Sequence, residues 1–249
     1  AHAAGHDINC IALAGALAHF ARDGGQPTPP INLIGDFGGG GMLLAFGIVC
    51  GILEARTSGQ GQVIDAALYE SVLQVMEGLV PEYDRTGYIR ERSGSVLKGI
   101  APSNVYKCKD GEFMIGANKD SLWKRLATAM GRPELGDDPR YATHLARGEN
   151  QDELDDLINQ WTRTLTVDEV DALMIEHSIP AGRVYRAPDM LADPHFQARH
   201  MLQQVPHPQL GHTTQAGIVP RLSATPGAIV RSGPDLGADS ADVLQHDLQ

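Results

Sequence analysis

The chain has 249 residues, 42% of them apolar and 20% charged, with a formal net charge of −11. That composition belongs to a folded chain with an ample core rather than a disordered one. So acidic a balance excludes a general nucleic-acid binder, because nothing in it neutralises a run of phosphates; a local Arg/Lys cluster can still hold a small anion.

In chain order, "DINCIALAGALAHF" (7–20) spaces Ile8, Ile11, Leu13, Leu17 and Phe20 near the helical period, with Asp7 as a candidate cap. "RDGGQPTPP" (22–30) is loop. Residues 42–57 predict a strongly apolar helix; its run 42–53 is broken by Gly47 and Gly51, which favours a buried helix over a membrane span. "TSGQGQ" (57–62) is a turn, and residues 63–80 begin strand-like and become helical. The polar stretch 81–99 reads as a linker. Residues 103–117 hold two strand-like runs around Asp110-Gly111, a strong hairpin signal. Helices follow at 121–131, 151–165 and 166–179, the last behind a Thr166/Glu169 capping box. A turn and short strand are expected at 179–185, then short proline-punctuated elements. The expected organisation is therefore 1–80 as one region, 81–99 as linker, 100–186 as a compact α+β unit and 187–249 as a return segment. Cys10, Cys50 and Cys108 are odd in number and widely separated, which suits a reducing cytoplasm better than a disulfide scaffold.

The chemistry-bearing stretch is "NLIGDFGGGGMLLAFGIVCGILEAR" (32–56). A carboxylate at Asp36 beside glycines is a candidate nucleophile or proton carrier on a backbone that a bulky ligand can approach, and glycine N–H groups can stabilise an oxyanion. The plainer alternative is that Asp36 caps the following helix. The run lacks Gly-Lys-Ser/Thr and the GxGxxG pattern, so a phosphate loop is disfavoured. His6 and Asp7 are a second acid/base candidate thirty residues upstream. His195, His200, His207 and His212 have no metal-site spacing, and no metal is expected. Trp123 and Trp161 sit on apolar faces as core candidates; "GDDPR" (136–140) and the acids at 152–156 read as solvated surface.

The stretches "GHDIN", "GDFGGGGM", "GILEARTSGQGQVIDAALYE", "APSNVYKCKDGEFMIGAN", "LWKRLATAMGRPEL", "IPAGRVYRAPDMLADPHFQARHML" and "PRLSATPG" resemble, in order, the family III CoA-transferases, or CaiB/BaiF family, which includes formyl-CoA transferase and α-methylacyl-CoA racemase. The resemblance implies an α/β fold: a Rossmann-like large domain built from both chain ends, and a small α+β domain from the middle. It implies an interlaced homodimer. It also implies that this chain, which opens on "AHAAGHDINC", is a fragment lacking the N-terminal part that contributes much of the CoA-binding surface.

The resemblance places the transferase nucleophile at Asp36. An acyl-CoA thioester is attacked to give an aspartyl anhydride, then an aspartyl-CoA thioester, and CoA passes to a carboxylic acid acceptor. Gly38, Gly39 and Gly40 give the adduct space, and Asn118 is a candidate substrate contact. CoA thioesters are expected as substrates, with no permanently bound cofactor and no membrane or nucleic-acid partner. The alternative is a racemase in which His6 and Asp36, with Asp7 beside them, exchange a proton at an α-carbon. The resemblance implies that racemases carry a glutamate just after a "VGA" strand; here the corresponding stretch reads "GANKDSLW", with Lys119 at that place and Asp120 next to it. That departure and the downstream motifs favour the transferase. A third reading is a truncated, non-catalytic subunit.

Overall fold

The computed structural model describes residues 5–22, 24–76 and 78–247, in two units that divide between Arg183 and Val184. In the first unit, α1 (Asp7–Leu13) is shorter than its periodicity suggests. Gly15, at φ +85°, turns the chain into a 3-10 turn over Ala16–His19. His6, not Asp7, occupies the N-cap position, and its N–H donates to Asn9 Oδ1 at 3.1 Å. The glycine stretch is not a loop. Leu33–Gly41 is a π-helical segment that runs on into α2 (Met42–Ser58), closed by Gly59 at φ +74°. Residues 59–67 are irregular rather than a strand; α3 (Leu68–Val75) follows. The expected linker opens inside a helix, α4 (Leu79–Thr86).

The middle of the chain is built as its patterns suggest. Strands β1 (Ser103–Lys107) and β2 (Glu112–Gly116) form an antiparallel hairpin, and β3 (Ala181–Arg183) adds to β2. Alternation puts Phe113 and Ile115 inward. They meet one face each of α5 (Asp120–Ala129), α7 (Gln151–Thr162) and α8 (Val167–Glu176). Trp123, Leu126, Leu154, Ile158, Val170 and Met174 fill that core at helical spacing. Trp123 donates through Nε1 to Leu135 O at 3.1 Å and meets Tyr141 edge-on, centroids 5.9 Å apart, so the largest side chain keeps its polar atom satisfied. The Thr166/Glu169 capping box forms reciprocally, at 3.2 and 2.7 Å. A short helix, α6 (His144–Glu149), was not legible in the pattern.

The second unit carries α9 (Ala187–Ala192), α10 (Pro194–Ala198), an antiparallel hairpin of β4 (Leu202–His207) and β5 (Gly211–Ala216), and a terminal α11 (Ser240–Asp242).

The burial expected of α2 is corrected. Every one of its residues is at least partly exposed, with Met42 at 69% and Phe46 at 67%. With the π segment it makes a 26-residue helix, Leu33–Ser58, whose most apolar window has mean hydropathy 1.7 and is 17% buried. By length and composition it is enough to cross a membrane, because the helix continues through the glycines that break the sequence run. A helix of this kind also suits burial on several sides in a larger assembly.

Candidate active site

Asp36 lies inside the π-helical segment, so the helix-cap alternative falls. Its side chain is exposed. Its backbone is anchored from another element: the Asp36 N–H donates to Asp7 Oδ2 at 2.7 Å. Asp7 is buried, and its Oδ1 has no hydrogen-bond partner. An acceptor left buried and half-used is costly. Asp7 thus holds the backbone of the exposed carboxylate while its own second oxygen stays unsatisfied. Asn32 Nδ2 reaches Asp36 Oδ2 only at 3.5 Å.

The glycines have packing reasons. A Cβ on Gly35 would lie 2.6 Å from Asp7 Oδ2, so only glycine lets α1 and the π segment approach this closely. A Cβ on Gly40 would strike Leu68 Cδ2 at 2.3 Å and the Gly35 carbonyl at 2.6 Å; one on Gly39 would meet Ile34 O at 2.9 Å and Val72 at 3.3 Å. Gly39 and Gly40 are buried against α3, whereas Gly38 is exposed beside Asp36. Of the three glycines expected to give a ligand space, only Gly38 faces outward. His6 is exposed at the start of α1, and among the described hydrogen bonds none joins its ring to Asp36.

Asn118 belongs to the α+β core, and no described hydrogen bond links it to Asp7 or Asp36. Its carbonyl accepts from Arg147 Nη2 at 2.7 Å and lies 3.1 Å from His144 Nδ1. Arg147 is fully buried. It also donates from Nε to Ala101 O at 3.0 Å, from Nη1 to Tyr141 O at 2.8 Å and from Nη2 to Asp120 Oδ1 at 2.8 Å. That last bond holds the Asp120 carboxyl below the usual carboxylate range. Lys119 is the N-cap residue of α5, and Asp120 opens the helix already committed to Arg147.

Asp155 corrects the surface reading of 152–156. Its carboxylate is partly buried and accepts from Tyr106 Oη and from Asn104 Nδ2; burial pushes its pKa up against those two bonds. Burial, with Asp155 beside it, also pushes the Tyr106 phenol up. Among the described residues, no three His, Cys, Asp or Glu side chains gather as a metal site.

The family model described as CoA-transferase family III matches residues 1–240. The chain belongs to that family. A succinyl-CoA--D-citramalate CoA-transferase of Chloroflexus aurantiacus is 48% identical over 224 residues, which are 88% of this chain and 56% of that protein. A mouse (Mus musculus) α-methylacyl-CoA racemase is 40% identical over 130 residues, 51% of this chain and 34% of that protein. Among solved structures, a CaiB/BaiF family protein from Brucella suis superposes with a TM-score of 0.81 at 25% identity, over 97% of this chain and 62% of the other. The fold is thus that of the family III CoA-transferases, mixed α and β. The chain spans little more than half the length of the first of these relatives.

Proposed function

We propose that this chain carries the nucleophile of a CoA transfer from an acyl-CoA donor to a carboxylic acid. The observation that carries the reading is the exposed carboxylate of Asp36 on a backbone pinned by buried Asp7, in a chain of this family. Asp36 attacks the thioester carbonyl and expels CoA thiolate, leaving an aspartyl–acyl anhydride. The thiolate attacks the aspartyl carbonyl, which releases the donor acid and leaves an aspartyl-CoA thioester. The acceptor carboxylate attacks that carbonyl and again expels CoA thiolate. The thiolate then takes the acceptor acyl group from the new anhydride, which restores Asp36. Each step passes through a tetrahedral centre at a carbonyl beside Asp36, and the open face at Gly38 leaves room for it. The similarity to a succinyl-CoA--D-citramalate CoA-transferase supplies the substrate class: a short dicarboxylic acyl-CoA such as succinyl-CoA as donor, and a small hydroxy-dicarboxylic acid as acceptor.

His6 is exposed and lacks a described bond to Asp36. Asp120, the acid nearest the position where a racemase carries its glutamate, is tied to Arg147. A base without an orienting partner is weakened, which supports transfer over racemisation. The protein works as a homodimer in this reading, in a reducing compartment that suits three free thiols.

The test uses the full-length protein and succinyl-CoA. Reductive trapping followed by peptide mass spectrometry is expected to mark Asp36, and Asp36→Ala to lower transfer by about a thousandfold or more. Deuterium exchange at the α-carbon of a 2-methylacyl-CoA in heavy water, with no adduct, would instead establish the racemase. Silence in both assays would leave a non-catalytic subunit.

A further inference from the structure

A cavity of about 480 Å³ opens where the 93–96 turn, β1 and the end of α7 meet. Three cations line it: Arg22, Lys107 and Arg163. Each is exposed, and none forms an ion pair or a side-chain hydrogen bond among the described residues. One carboxylate, Glu112, also lines the cavity; it stands opposite Lys107 in the β1–β2 register. The adjoining carboxylate of Asp155 is engaged by Tyr106 and Asn104. Three positive charges thus share the cavity with one free negative charge, in a chain whose net charge is −11.

Backbone fastenings set this arrangement. Gly94 N–H donates to Ala21 O at 2.8 Å, which ties the 93–96 turn to the segment carrying Arg22. Lys107 N–H donates to Asn159 Oδ1 at 3.1 Å, and Thr162 Oγ1 donates to Lys107 O at 2.8 Å, which fastens β1 to the last turn of α7 just before Arg163. The cations therefore project from anchored backbone on separate elements. Like charges held around one concavity repel each other until an anion enters, and a concave wall strengthens their joint field.

We propose that this cavity is a binding site for a phosphate-bearing small molecule. The residual charge of two positive units matches a phosphate group, which carries about −1.5 to −2 at neutral pH. Two guanidiniums add planar donor forks suited to phosphate oxygens. The volume is in the range of small-ligand sites. The site is separate from Asp36 and does not depend on the reading of that residue.

The test is calorimetric titration of the full-length protein with inorganic phosphate, adenosine 3′-monophosphate and succinate. Saturable phosphate binding that weakens with salt is expected. Arg22→Gln, Lys107→Gln and Arg163→Gln should each raise Kd about fivefold, and the triple variant should lose binding. Glu112→Gln should tighten binding, a sign that mere structural damage does not produce. Lys109→Gln, whose side chain is outside the cavity, and Asp36→Ala should leave it unchanged. Tighter binding of the nucleotide than of free phosphate would assign a phosphate monoester as the ligand, and the reverse order would assign phosphate itself. Succinate binding as tightly as both and lost in the triple variant, equal affinity of the phosphate compounds in wild type and triple variant, or no binding of either phosphate compound would overturn the proposal.

Discussion

Leu126 on α5 and Val49 on α2 are both apolar residues on regular helices, yet the first is fully buried and the second 64% exposed. The contrast lies in pattern. Helix α5 has one apolar face, and the β1–β2–β3 sheet with α7 and α8 covers it from within the same hundred residues. Helix α2 is apolar all round, so burying one side still leaves others wet. Among the described residues, the buried apolar cluster around α1 and α3 is Ile11, Ala16 and Val72, with a few partners at its rim. Local sequence can complete a core when the pattern is one-sided; an all-round apolar helix needs neighbours from elsewhere. The contrast also separates the roles: the closed region supplies rigidity, while the open one carries Asp36.

The sharpest probe of the closed region is Arg147→Met. Removing this buried cation strands the carbonyls of Ala101, Tyr141 and Asn118, and should cost about 3–5 kcal/mol of stability, read by urea unfolding. A loss below about 1 kcal/mol would mean that water enters the site and the core is less closed than described. Next comes the direct pair. Leu126→Ala should cost about 2–5 kcal/mol, and Val49→Ala in the 249-residue chain no more than about 0.5 kcal/mol. If Val49→Ala is instead as costly as Leu126→Ala, α2 is covered in solution, and the contrast between the two helices fails.

In the open region, Gly35→Ala should displace Asp7 from the Asp36 N–H and lower transfer activity about a hundredfold, with less effect on unfolding of the α+β core. Activity within a factor of two of wild type would detach Asp7 from the function of Asp36.

The smallest effect is that of Asp120→Asn. The carboxyl is depressed in the folded state by its bond to Arg147, so its contribution is present above the unfolded carboxylate pKa and fades as pH falls through the folded value. The Tm difference from wild type should therefore be greatest near neutrality and shrink on acidification. A difference that grows as pH falls would reverse the assignment.

The hairpin at Asp110-Gly111, the one-sided helices and the Thr166 capping box were legible because each depends on residues within a few positions of one another. The glycine run was legible as special, but neither its π-helical form nor its packing was, since the close neighbours, Asp7 and α3, are distant in sequence. Asp155 read as a solvated acid and Arg147 was not singled out, because the partners of Asp155 lie 49–51 residues away and three of the four partners of Arg147 lie 27–46 away. The β4–β5 hairpin was missed because its strands are rich in Gln, Thr and His and show little apolar alternation.

The order of motifs along the chain determined the family and singled out Asp36, because both are properties of local residue types and spacing. Tertiary structure alone decided that Asp7 anchors Asp36, that Gly39 and Gly40 face α3, and that Arg22, Lys107 and Arg163 share one cavity. The physical reason is that hydrogen bonds, steric gaps and electric fields act across space within a few ångströms, and the chain brings those atoms together only by folding.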